Sequence, residues 1–154
     1  MVNLFISYSH KDNAFREELE THLAMLRNSG RVAVWTDRQI DASMEWEAEI
    51  WSHFEAARVL VLLISPDFLA SKFCYSQELG AAMARHEART ARVIPVIIRP
   101  CQWQDAPFAK IQCLCAPKPV SLYGKDPVDR DEAWAAVADQ IRKIVIQTDS
   151  IPNG

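Results

Sequence analysis

The stretch Val59-Leu60-Val61-Leu62-Leu63-Ile64-Ser65-Pro66-Asp67 decides the architecture. Six consecutive aliphatic residues leave no polar face, so they predict a strand buried on both sides, as in the middle of a parallel sheet. Ser65 then stands where a helix N-cap is needed and Pro66 at the first helical position, so a helix leaves the strand's carboxyl end. Such a strand needs neighbours, and the chain supplies them on both sides. Residues 2–8 read as a first strand. Phe15, Leu19, Leu23 and Leu26 trace one helix face over residues 12–27, which Gly30 ends. Residues 31–35 make a second strand and residues 36–43 a polar loop. Trp46, Ile50, Trp51 and Phe54 mark another helix. Residues 68–87 read as helix with a break near Ser71-Lys72, and residues 93–98 as a strand. Pro95 is the difficulty there, because proline belongs at a sheet edge or a bulge. Residues 119–122 read as a last short strand. Ala133, Trp134, Val137, Ala138, Ile141, Ile144 and Val145 trace a closing helix. The expectation is one α/β domain over residues 1–146, followed by a polar tail or linker stub over residues 147–154. Four or five parallel strands alternate with helices, and ligands are expected at the carboxyl ends of the strands.

Bulk properties exclude several function classes. The chain has 154 residues, enough for one real core, and is 49% hydrophobic and 24% charged. Its net charge of -3, with both signs interspersed, argues against a nucleic-acid or anionic-membrane surface. Cys74, Cys101, Cys113 and Cys115 form no CxxC pair and meet no histidine cluster, so no metal site is expected. No basic leader precedes the first strand, and no run approaches the ~18 apolar residues of a membrane span. A reduced, cytoplasmic protein is expected. The third strand ends Leu63-Ile64-Ser65, without the acid that a phospho-acceptor domain requires. The first loop, Ser9-His10-Lys11-Asp12-Asn13, lacks the glycine of a flavin-phosphate loop. No dinucleotide, Walker, nucleophile-elbow or zinc-protease motif is present.

Four boxes in order carry a resemblance. They are Phe5-Ile6-Ser7-Tyr8-Ser9-His10-Lys11-Asp12; Trp35-Thr36-Asp37-Arg38-Gln39-Ile40 with Trp46-Glu47-Ala48-Glu49-Ile50; and Leu63-Ile64-Ser65-Pro66-Asp67-Phe68-Leu69 with Ser71 and Phe73-Cys74-Tyr75-Ser76-Gln77-Glu78-Leu79. The fourth is Val93-Ile94-Pro95-Val96-Ile97-Ile98 with Cys101-Gln102-Trp103 and Pro107-Phe108. From about Leu4 to Val145 the chain resembles bacterial Toll/interleukin-1 receptor (TIR) domains of the NAD-cleaving type. The resemblance implies a flavodoxin-like three-layer sandwich with a five-stranded parallel sheet.

It also implies a chemistry. Many bacterial TIR domains hydrolyse or cyclise NAD⁺ as substrate, with no further cofactor, through an acid on the third helix. The matching residue is Glu78. Nicotinamide leaves as a neutral molecule and needs no general acid, while the ribosyl centre becomes oxocarbenium-like, so one carboxylate suffices. Cys74, four residues earlier, is expected on the same helix face. Tyr8, Ser9 and His10 are expected to border the cleft, with Ser9 and His10 against phosphate or ribose. Asp12 reads as a helix N-cap. Asp37, Arg38 and Trp46 belong to the loop after the second strand, where Arg38 suits pyrophosphate and Trp46 a ring. Trp35 reads as packing, and the other three cysteines as structural.

Bacterial relatives carry a glycine in that loop where Ser43 follows Ala42, which bears on how the loop joins one TIR domain to another. The residue before the cysteine is tryptophan in much of the family and Phe73 here. The implied partners are NAD⁺, other TIR protomers in an activated homo-oligomer, and a fused sensor domain. The implied setting is antiviral defence. The competing reading is a non-catalytic TIR scaffold, for which the altered loop speaks. Glu78 speaks against it.

Overall fold

The computed structural model describes residues 1–36, 48–115 and 118–150. Four parallel strands, β1 (Val2–Ser7), β2 (Val32–Thr36), β3 (Val59–Ile64) and β4 (Arg92–Ile97), lie in the order β2-β1-β3-β4. Strand β3 has the predicted bounds and is buried at all six positions between β1 and β4. Alternation divides its side chains. Val59, Val61 and Leu63 join one core with Leu4, Ile6, Tyr8, Leu19 and Trp134. Leu60, Leu62 and Ile64 join the other with Phe5, Phe54, Phe68, Phe73 and Leu79.

Helices α1 (Asn13–His22), α2 (Ala24–Asn28) and α6 (Asp131–Ser150) cover the first core. Helices α3 (Ala48–Ala56), α4 (Pro66–Ala70) and α5 (Gln77–Glu87) cover the second. Glu18 on α1 clasps α6. It accepts from Arg130 Nε at 2.9 Å and Nη2 at 2.6 Å, and from Trp134 Nε1 at 3.0 Å. Helix α6 continues through Ser150, past the expected tail start at Gln147, because Thr148 keeps the buried stripe of Ile141 and Val145 going. The helix expected over residues 12–27 is two, divided at Leu23.

Pro95 has a physical account. The N–H groups of Arg92 and Ile98 donate to the β3 side, to Arg58 O at 2.8 Å and Ile64 O at 2.9 Å. Odd-numbered residues therefore point away from β3. Val93 N–H donates to His86 Nδ1 at 3.0 Å, and Ile97 N–H to Leu114 O at 2.9 Å. Pro95 falls between them, where its nitrogen faces the sheet margin and no β3 bond is lost. Its carbonyl is used, accepting from Leu114 N–H at 2.8 Å.

The expected fifth strand is corrected. Residues 119–122 do not pair. Val120–Tyr123 form a 3-10 turn opened by Pro119, tied to β4 by Ser121 N–H to Ile98 O. Among the described residues the fifth position is held by one parallel bridge, Val96 to Leu114. Leu122 N–H donates to Pro119 O at 3.0 Å, closing a local turn rather than a ladder.

Candidate functional site

The segment from β3 to α5 is built from three short pieces. Ser65 Oγ caps α4, accepting from Phe68 N–H at 3.1 Å. Residues Lys72–Tyr75 form a 3-10 turn, and Ser76 Oγ then caps α5, accepting from Leu79 N–H at 3.2 Å. Ser76 lies between Cys74 and Glu78 with extended backbone, so these two do not share a helix face as expected. Cys74 is fully buried in the second core, and burial pushes its thiol up to about 11. It is an inert packing group.

Glu78 stands in the first turn of α5, half-buried. It lines a groove of about 410 Å³ between α3 and α5, with Trp51, Phe54, Gln77 and Ala81 along the wall. Glu55 and Arg85 close its far end, where Arg85 is anchored to Ala57 O at 2.5 Å. Trp51 meets Phe54 edge-on at 5.6 Å, and Phe54 meets Phe73 likewise at 6.0 Å. The Glu78 carboxylate therefore borders an aromatic wall backed by the core. The expectation did not include Trp51 and Phe54 in the site. Their helical spacing read as packing alone, and only the approach of α5 turns that packing into a groove wall.

The first loop sits at the carboxyl end of β1. Ser9 is buried and caps the turn His10–Asp12, accepting from Lys11 N–H at 3.4 Å. His10 is exposed. Tyr8 is 1% exposed and belongs to the first core, with the Arg16 guanidinium 5.6 Å from its ring centre. Tyr8 and His10 line a separate cavity of about 340 Å³ with Asn13, Arg16 and Glu17. The structure thus puts Tyr8 and Glu78 on opposite faces of the sheet. Asp37, Arg38 and Trp46 lie outside the described residues, as do Ala42 and Ser43. Trp35 stacks on His53, ring centres 3.5 Å apart.

Asp12 holds the N-cap position of α1 as expected, but its side chain makes no capping bond. It is 1% exposed, accepts from Ser65 Oγ at 2.5 Å, and accepts from Arg99 Nε at 2.8 Å. Arg99 also pairs with Asp67, which Lys11 approaches to 3.4 Å. The first loop, the α4 entrance and the end of β4 are thereby locked together at the carboxyl edge. Arg99 opposes burial with these two carboxylates, which hold its guanidinium above the ordinary arginine value. The Arg99 hydrogen bond, outweighing burial, draws Asp67 below the carboxylate range.

This carboxyl-edge site on a parallel sheet agrees with what the sequence matches. Residues 4–142 match the TIR domain family, and the chain belongs to it. It is 38% identical over 156 residues to the uncharacterized protein y4lF of Sinorhizobium fredii (strain NBRC 101917 / NGR234), a match covering 99% of this chain and 47% of that protein. The chain thus spans about half the length of the curated relative it matches. Among solved structures it is similar to the TIR domain of the Toll-related receptor TRR-2 of Hydra magnipapillata. That likeness has a TM-score of 0.55 at 19% identity and covers 90% of this chain and 97% of that one. It is also similar to the TIR domains of the activated Roq1 resistosome that recognizes the pathogen effector XopQ. There the TM-score is 0.50 at 19% identity, over 90% of this chain and 84% of that one. At such identity these two speak for the fold.

Proposed function

We propose that this TIR domain is an NAD⁺ nucleosidase that releases nicotinamide, with Glu78 as the catalytic carboxylate, acting when TIR domains cluster. One observation carries the reading: Glu78 is half-buried on an aromatic-walled groove at the start of α5. The nicotinamide–ribose bond breaks with its electron pair going to the pyridinium nitrogen, so the leaving group departs neutral. Glu78 stabilises the positive charge that develops at the ribosyl carbon. Water then adds to that carbon and loses a proton, giving ADP-ribose; an adenine nitrogen of the same molecule adding instead gives the cyclised product. Trp51 offers a face to a flat ring. His10 takes a phosphate or ribose contact, with buried Ser9 holding its turn, and Arg38 and Trp46 take the pyrophosphate and a ring. The solved Roq1 TIR domains belong to an activated assembly, and the same logic assigns this domain to an effector switched on by association, as in antiviral defence.

Concentrated or artificially clustered protein is to be incubated with NAD⁺ and free nicotinamide measured. Glu78→Gln keeps shape and removes charge, and should lower turnover by about 100-fold or more. Clustered wild type that releases no nicotinamide would leave a TIR–TIR binding module instead. Equal turnover by the variant would move the chemistry away from Glu78.

A further inference from the structure

Ser7 is the last residue of β1, and nothing in the packing explains its hydroxyl. The residue is 0% exposed, and Oγ has no hydrogen-bond partner among the described residues. The other buried serines there are all engaged. Ser9 caps the first turn, Ser65 serves both α4 and Asp12, and Ser71 Oγ donates to Phe68 O at 2.6 Å. A buried hydroxyl left without a partner destabilises the fold, whereas alanine would occupy the same place without that loss.

The place of Ser7 in the sheet supplies a reason. The strand order β2-β1-β3-β4 puts β1 inside the sheet, with the chain leaving it to one side for β2 and crossing to the other for β3. The crevice outside the carboxyl ends of the strands at such a reversal is where parallel α/β sheets take ligands. Ser7 ends β1 there, in register with Leu62. Alternation turns Ser7 to the face of Phe5 and Leu62, the second core, away from Ile6 and Tyr8. Phe54, which walls the Glu78 groove, meets Phe5 edge-on at 5.4 Å. Ser7 lies one step of roughly 6–7 Å beyond Phe5 toward the carboxyl edge. That is the edge where the chain, having left β3, starts α5 with Glu78 in its first turn.

Charge narrows the occupant. The buried arginines, Arg16 and Arg130, lie on the other face, against Tyr8 and Phe15. Arg99 at the edge is held by Asp12 and Asp67. A phosphate brought to Ser7 would bury a charge on a face where the described residues include no buried cation. A neutral ligand hydroxyl carries no such cost, and it can both donate and accept, as Ser7 Oγ can.

We infer that Ser7 is a substrate-binding residue, whose hydroxyl bonds a hydroxyl of the ribose that carries nicotinamide as the end of the Glu78 groove opens toward β1. The inference rests on the NAD⁺ reading above and adds the sugar contact that holds the scissile bond at Glu78.

A thermodynamic cycle read by calorimetry tests it. The whole chain, carrying Glu78→Gln so that the substrate stays intact, is titrated with NAD⁺ and with the analogue lacking both hydroxyls on the nicotinamide ribose, each with and without Ser7→Ala. Ser7→Ala should weaken NAD⁺ by about fivefold or more, and the dideoxy analogue by less than about twofold. Its melting temperature should equal or exceed that of the parent, because an unpaired buried hydroxyl has been removed. Undiminished NAD⁺ affinity, equal loss with both ligands, absence of NAD⁺ binding, or a lowered melting temperature would each overturn the inference. Nicotinamide release by clustered wild type judges the nucleosidase reading separately, so the two can fail apart.

Discussion

Asp12 has both carboxylate oxygens engaged across the fold, Oδ2 by Ser65 and Oδ1 by Arg99. Truncating it to alanine leaves the Ser65 hydroxyl and the Arg99 guanidinium each short of a partner in a largely dry place. Breaking a buried pair costs about 3–5 kcal/mol, and a helix cap about 1. Because the Arg99 side chain is 31% exposed and keeps Asp67, we expect about 2–3 kcal/mol for Asp12→Ala. Asp12→Asn keeps an acceptor for Arg99 and should cost less than half of that. Urea unfolding of both variants measures this. A loss near 1 kcal/mol for Asp12→Ala would return the residue to a local capping role. Nothing near Asp12 in the sequence signals its partners, since Ser65 and Arg99 are 53 and 87 residues away. The role proposed for Glu78 rests, in the sequence, on the family boxes alone, because a glutamate in a first helical turn is otherwise commonplace.

Among the elements, β3 was fully legible, because an all-aliphatic hexamer bounded by a cap and a proline admits one reading. The fifth strand was not. Among the described residues its pairing is one bridge at Leu114, and one bridge imposes no two-residue alternation on the sequence. Strand β4 also depends on a side chain, since His86 Nδ1 takes the Val93 N–H that another strand would have taken. Burial, then the charge of Arg92, lowers the His86 pKa from its ordinary 6.5 against a weaker pull from Glu87. The unfolded chain therefore binds the proton more readily than the folded one. The His86 contribution is fully present above about pH 6.5 and is lost as pH falls through the lower folded value. We expect wild-type unfolding midpoints to fall below pH 6.5 more steeply than those of His86→Gln, whose amide oxygen accepts the same N–H without titrating. Parallel urea midpoints from pH 8 to 5 would show it, and superimposable slopes would remove His86 from the account.

At the scale of the molecule, the sheet keeps the two halves of the proposed NAD⁺ site apart. Glu78 lines a groove over the second core, and the Tyr8–His10 segment borders a cavity over the first. At the carboxyl edge Asp12, Ser65 and Arg99 hold the first loop, the α4 entrance and the end of β4 together. An open groove leaves a carboxylate in water, where stabilising a developing cation is weak. Excluding that water is what strengthens it. A second protomer laid against the edge would both exclude water and bring further side chains to a ligand spanning it. The proposed activity should therefore scale faster than linearly with local chain concentration. Fusing the domain to a chemically induced dimeriser and measuring nicotinamide per chain, with and without inducer, puts this to the test. At least a tenfold rise is expected, and Glu78→Gln should abolish it. A rate per chain that stays constant across a hundredfold range of concentration, with or without inducer, would mean that one protomer holds the whole site. The groove walled by Trp51 and Phe54 would then have to close over NAD⁺ within a single domain.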